Sequence, residues 1–245
     1  SRLRLAADGV KKVSMELGGH APVIVFEDAD PVAAAEACAR AKFRNAGQVC
    51  ISPSRFYVHE SIREAFTGHF AEKARRLRLG HGLDETTDMG PLANRRGLAR
   101  AEEMVADAVA KGGRVVAGGR RPASLNHGYF FEPTVIADVP DEALVMTEEP
   151  FAPVAPIAGF SDFDAVMKRA NALPFGLAAY LFSRSDSTIV RASEALEAGM
   201  VGVNDLALAQ AEIPFGGVKE SGIGREGGSL GIHDYLEAKY IRHKI

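Results

Sequence analysis

The stretch PVIVFEDADPVAAAEACARAKF, residues 22–43, decides the fold. Its first six residues, Pro22 to Glu27, are rich in β-branched and aromatic side chains and read as a strand. Asp28-Ala29-Asp30 interrupts it. Asp30 then stands where a helix N-cap is expected, with Pro31 in the first helical position. An alanine-rich run continues to about Phe43, and Gly47 marks the stop. The strand travels roughly 20 Å one way. The helix returns roughly 24 Å the other way. A unit of matched lengths brings the chain back to the edge it left, so residues just before the strand and just after the helix meet there.

The same alternation continues outward. Lys12 to Leu17, Arg55 to His59, Arg114 to Ala117, Val154 to Phe160, Ala178 to Phe182 and Met200 to Val203 read as strands. Helical patterns fall over Ser61 to Leu77, Arg95 to Lys111, Asp162 to Ala172 and Asp186 to Leu196. A Gly-rich segment, Pro214 to Gly231, follows, and Lys239 to His243 reads as a last strand. Strands alternating with helices predict an α/β fold: a mostly parallel, twisted sheet with flanking helices.

Composition excludes several classes. The chain has 245 residues, 47% hydrophobic and 25% charged, which is a globular balance and not that of a disordered or coiled-coil chain. A net charge of −3 provides no basic field for nucleic acid. No apolar run approaches the roughly 20 residues of a membrane span. Seven scattered histidines and two cysteines give no zinc spacing, so no metal is expected. Two thiols make no disulfide framework, which points to a reducing cytoplasm. Gly222-Ile-Gly224-Arg-Glu-Gly227 fits G-x-G-x-x-G, but no apolar strand precedes it; these glycines are expected to shape a loop. The chain opens with Ser1 and lacks a basic-then-apolar leader, so a piece of a longer or processed protein is expected.

Cys38 lies inside the alanine-rich helix and reads as core. Cys50 sits on a loop just after the helix end, beside Gly47 and Gln48. The folding-back argument lets Glu16, 34 positions earlier, face Cys50. A carboxylate beside a thiol suits base-assisted nucleophilic chemistry. Spacing alone also leaves Glu16 free to cap or to pair with a surface lysine such as Lys12. Gly18-Gly19 permits close approach of backbone or ligand. Arg44, at the helix end, either complements the helix dipole or meets an anionic substrate.

Taken together, the segments resemble the aldehyde dehydrogenase superfamily. Met15-Glu16-Leu17-Gly18-Gly19 resembles its general-base motif, and Phe43-Arg44-Asn45-Ala46-Gly47-Gln48-Val49-Cys50 its nucleophile motif. Glu148-Glu149-Pro150-Phe151-Ala152-Pro153 resembles its nicotinamide-ribose segment, with Ala152 where glycine is usual. Pro214-Phe215-Gly216-Gly217-Val218-Lys219, then Ser221-Gly222 and Gly224-Arg225-Glu226, resemble its C-terminal signature; Glu132-Pro133-Thr134 and Leu173-Pro174-Phe175-Gly176-Leu177 also fit.

The resemblance implies the C-terminal half of a protein about twice as long. Residues 1–18 would end a cofactor-binding domain, 19–222 would form a catalytic domain and 223–245 a C-terminal segment with an oligomerisation strand. Missing would be the asparagine that completes the oxyanion hole and the lysine that holds the adenosine ribose. The implied activity is oxidation of a small-molecule aldehyde to an acid with NAD or NADP. Cys50 is then the nucleophile and Glu16 the base. Leu17 and Gly18 would line the cofactor site, Glu149 would hold the nicotinamide ribose and Phe151 would pack near the ring. Arg44 matches the position where succinate-semialdehyde dehydrogenases carry an arginine for the distal carboxylate. Two features of those enzymes are absent, the serine near Ala209 and the second loop cysteine, because Ile51-Ser52-Pro53-Ser54 follows Cys50. A homo-dimer or homo-tetramer is implied, with neither nucleic acid nor membrane as partner. Two other readings stay open: a coenzyme A-acylating dehydrogenase, and an inactive fragment that only binds or assembles.

Overall fold

The structure, a computed structural model, describes residues 2–245. Its helices are α1 (Arg2–Ala7), α2 (Pro31–Phe43), α3 (Glu60–Arg76), α4 (Arg95–Ala110), α5 (Leu144–Thr147), α6 (Phe163–Ala170) and α7 (Asp186–Ala195). Its strands are β1 (Met15–Glu16), β2 (Ala21–Val25), β3 (Pro53–His59), β4 (Arg114–Ala117), β5 (Thr134–Ala137), β6 (Val154–Phe160), β7 (Phe175–Gly176), β8 (Ala178–Phe182), β9 (Met200–Val203), β10 (Val218–Lys219) and β11 (Gly222–Ile223).

Seven strands form one sheet in the order β4-β5-β6-β3-β2-β8-β9. Every neighbouring pair is parallel except β4 with β5. The central strands are covered on both faces and so read as continuous apolar runs. Every residue of β2, β5 and β8 is buried. Asp30 caps α2 by accepting from the N–H groups of Val32 and Ala33, at 2.9 and 3.2 Å. Alanines and Cys38 on α2 allow close packing against α3 and the sheet, and an aromatic knot of Phe43, Phe56, Phe66 and Phe70 fills the space between them. The buried Arg55 of β3 ties the layers together: its guanidinium donates to the carbonyls of His20, Arg169 and Ala170.

Three points depart from the sequence reading. The strand expected over Lys12 to Leu17 is only Met15–Glu16, and it lies outside the main sheet, pairing antiparallel with β11. Lys11, Lys12 and Ser14 are exposed, so nothing holds that part of the run in a ladder. Lys239 to His243 adopts no regular structure and pairs with no strand of this chain among the described residues. β5 is an unforeseen central strand, because its four residues are too few to show a period. Cys38 and Cys50 are both free, so no bridge joins them. No described helix is long and apolar enough to cross a membrane.

Candidate active site

β6, β3 and β2 are adjacent, and the segments that run into their amino ends converge. These are residues 15–20 before β2, 44–52 before β3 and 148–153 before β6. The folding-back of strand and helix thus places Glu16 and Cys50 at the same edge, and β6 adds Glu149.

Cys50 is presented by a strained turn. After α2 the backbone turns left-handed at Asn45, Ala46 and Gly47, with φ of 50°, 54° and 73°. Asparagine and glycine accept this region readily; for the buried Ala46 it costs about 1–2 kcal/mol. The turn is held from several sides. The Asn45 Nδ2 donates to the Gln48 carbonyl at 2.9 Å, and the Gln48 Oε1 accepts from the Ala93 N–H at 2.8 Å. The buried Tyr180 hydroxyl donates to the Ile51 carbonyl at 2.7 Å. A Cβ on Gly47 would lie 2.2 Å from the Ala152 carbonyl oxygen, so this glycine lets the cysteine turn rest on the Glu149 segment. Ala152 itself is fully buried without a positive φ, so glycine is not required there. The positive φ falls on Phe151, at 40°.

The Cys50 thiol is half-buried. Burial, then the charge of Glu16 and a hydrogen bond to its carboxylate, push the thiol up to about 11; the N–H groups of Cys50 and Ile51 oppose the rise. At neutral pH the sulfur is therefore a thiol with an acceptor beside it. Cys38 is different: it is fully buried and its pKa is raised by burial alone, which makes it inert.

β11 holds Glu16 from the other side. Glu16 pairs with Gly222, and the Leu17 N–H donates to the Ser221 carbonyl at 3.1 Å. Gly222 has φ +149°, and a Cβ there would lie 2.1 Å from the Met15 carbonyl oxygen. The C-terminal Ser221-Gly222 is thus a clamp on the base strand. Further along that segment Gly224, Gly227 and Gly228 have positive φ and lie in bends and turns, as expected of a loop.

Glu149 packs against Gly18-Gly19. Its Oε1 accepts from the Gly19 N–H at 3.3 Å, and a Cβ on Gly18 would lie 2.5 Å from its Oε2. Burial raises the Glu149 pKa, and the Gly19 N–H and Lys42 oppose the rise. Leu17 and Phe151 are each 46% exposed and leave apolar surface beside the polar cluster. Arg44 stands apart. It is exposed and lines a groove with Arg40, Lys73, Arg76 and Asp88, which no other expected site residue lines.

Sequence reasoning missed a polar layer beneath the cluster: His20, Lys42, Ser52 and Ser54 are buried. The His20 Nδ1 and Ser54 Oγ are 2.8 Å apart, and burial, with Arg55 and Lys42 nearby, drives the His20 pKa well below 6.5. Lys42 was visible in the helical period, since the buried positions of α2 are 34, 35, 38, 39, 42 and 43. Among the described residues no three His, Cys, Asp or Glu side chains gather as a metal cluster.

Known proteins resemble the chain over nearly all its length. It is 50% identical over 235 residues to a 3-sulfolactaldehyde dehydrogenase of Pseudomonas putida, covering 96% of this chain and 48% of the relative. It is 47% identical over 235 residues to a succinate-semialdehyde dehydrogenase [NADP(+)] of Escherichia coli, again covering 96% and 48%. A solved E. coli structure described as an NADP dependent enzyme superposes with a TM-score of 0.95 at 46% identity, covering 98% of this chain and 49% of that one. The chain spans about half the length of the curated relatives it matches. The model of the Aldehyde dehydrogenase family matches residues 3–241. A match of this extent is to the whole chain rather than to a motif, and the chain belongs to the aldehyde dehydrogenase family.

Proposed function

We propose that this chain carries the nucleophile and base of an NAD(P)-dependent aldehyde dehydrogenase. The observation that carries the reading is the Cys50 thiol beside the Glu16 carboxylate, the one on the held turn after α2 and the other on the clamped base strand. Glu16 accepts the thiol proton as the sulfur bonds to the aldehyde carbon. The carbonyl oxygen takes the electron pair and is held by the Cys50 N–H. Loss of hydride from the same carbon leaves a thioester on Cys50. Glu16 gives the thiol proton up to solvent and then accepts a proton from water as the water oxygen attacks; the carbon–sulfur bond breaks, the proton on Glu16 returns to the sulfur and the acid leaves.

The residues present fit a nicotinamide cofactor. Glu149, half-buried and fixed by the Gly19 N–H, offers a free carboxylate oxygen to ribose hydroxyls. Gly18 has no side chain to block it, and Leu17 and Phe151 offer apolar surface to a ring. Bound there, NAD(P)+ supplies the hydride acceptor.

The substrate class we infer is an aldehyde with an anionic far end. The names of the relatives, 3-sulfolactaldehyde, succinate-semialdehyde and glutarate-semialdehyde dehydrogenases, support this; the motif position of Arg44 favours it too, while its groove lies apart from Cys50 in this chain. We also infer residues 1–18 as the end of a cofactor domain, 19–222 as the catalytic domain, and 223–245 as an arm that pairs with a neighbouring subunit in a homo-dimer or homo-tetramer. The unpaired thiols suit a reducing cytoplasm. The test is turnover by the full-length protein. Cys50→Ala should abolish it and Glu16→Gln should lower kcat by about 10²–10⁴-fold; full activity in either variant contradicts the reading.

A further inference from the structure

Lys42 has no part in the mechanism above, yet its placement is costly. Its side chain is 0% exposed, and its Nζ has no hydrogen-bond partner among the described residues. An ammonium in that position loses several kcal/mol of hydration unless a counter-charge faces it. Because the group is sealed inside this chain, the counter-charge must come from within it. Lys42 lines a small void with Gly19, Gly47, Val49, Ser52, Ser54, Glu149, Pro150 and Phe151. Glu149 is the only carboxylate on that wall.

We propose that Lys42 is a positioning residue: its ammonium, behind the Glu149 carboxylate, is the buried counter-charge that keeps Glu149 ionised and aimed at the cofactor ribose. The inference rests on the reading of Glu149 as the ribose ligand and names the group that governs it. Three neighbours act on Glu149. The Gly19 N–H holds one oxygen, Lys42 attracts the carboxylate from the interior, and Glu16 repels it from the catalytic side. The other titratable group facing Lys42 is His20, which burial keeps neutral, so it offers Lys42 no negative charge. Burial pulls Lys42 down to about 7 and Glu149 pulls it back up, as a mutually dependent pair should behave.

The arrangement has a consequence for helix α2. Its last turn carries Lys42 inward, one residue before the aromatic knot and eight before Cys50. The same helix end therefore sets both the nucleophile's turn and the charge behind the ribose carboxylate.

The test is equilibrium binding of NADP+ and NAD+ to the full-length protein by calorimetry between pH 5 and 8, beside steady-state kinetics. Lys42→Met keeps the length and removes the charge. Without the cation Glu149 protonates at higher pH, so the acid-side loss of affinity should begin at higher pH, and the cofactor KM should rise about tenfold with kcat changed far less. Lys42→Arg should restore the acid side of the wild-type pH profile. Unchanged affinity and pH profile in Lys42→Met, while Glu149→Gln weakens binding, overturns the proposal and leaves the Glu149 reading standing. Unchanged binding in Glu149→Gln overturns both. If Lys42→Met does not fold, the double variant Lys42→Met/Glu149→Gln decides. Recovery of folded protein, by circular dichroism and thermal melting, supports the pairing, and no recovery contradicts it.

Discussion

Gly47 occupies three roles at once. It ends the turn after α2, it takes a left-handed φ of 73°, and it lets the Ala152 carbonyl approach where a Cβ would be. Gly47→Ala should therefore cost about 2–4 kcal/mol, from the φ and the clash together. Urea unfolding measures this, and an unchanged midpoint would mean that the turn and the Glu149 segment are not in contact. At this scale the nucleophile turn was legible because Gly47 and Cys50 follow a clear helix end. Lys42 was not read, although its spacing from Ala35, Cys38 and Ala39 puts it on the buried stripe. A charged residue in an inward position is normally taken as solvated, and only its burial reveals otherwise.

Among the elements, the two-residue strands decide where the base sits. β1 is too short to hold itself, and β11, more than 200 residues later, fixes it. Gly222→Ala should push the Met15 carbonyl aside and shift Glu16, lowering kcat at least about tenfold while the fold persists. Normal kcat with native circular dichroism would show that β11 does not position the base. The sequence carried the β2–α2–β3 unit plainly, through Asp30-Pro31 and the apolar run of β2. It carried β1 poorly. A two-residue ladder has no period, and its partner is set by tertiary contact rather than by neighbours in the chain. β4 was legible at its observed bounds, Arg114–Ala117, though its antiparallel pairing was not, and the short β5 escaped for the same reason.

For the molecule as a whole, the polar layer beneath the site couples stability to pH. The His20 pKa in the folded protein lies well below 6.5, because burial and the cations Arg55 and Lys42 disfavour its charged form. A depressed folded pKa means that the unfolded chain binds the proton first. The stability that His20 contributes is thus complete above about pH 6.5 and is lost as the pH falls towards the folded value. Unfolding free energy should fall between pH 6.5 and 5, and His20→Gln should flatten that slope; an equal slope in both proteins would remove His20 as its source. The exposed C-terminal segment, with Tyr235, Leu236, Tyr240 and Ile241, joins no strand of this chain among the described residues; Lys12 holds it at the Leu236 carbonyl and the Glu237 carboxylate. A strand was expected there from sequence, and the pairing with a neighbouring subunit proposed above would supply the partner that this chain does not.

The account as a whole depends on the Cys50 thiol and the Glu16 carboxylate sensing one another. The most direct measurement is the rate of iodoacetamide labelling of Cys50 against pH, with the labelled site located by mass spectrometry, in the wild type and in Glu16→Gln. The account predicts a wild-type midpoint near 11, and a lower midpoint in Glu16→Gln, because the negative charge that opposes the thiolate is gone. Superimposable profiles, or labelling at Cys38 in place of Cys50, would contradict it.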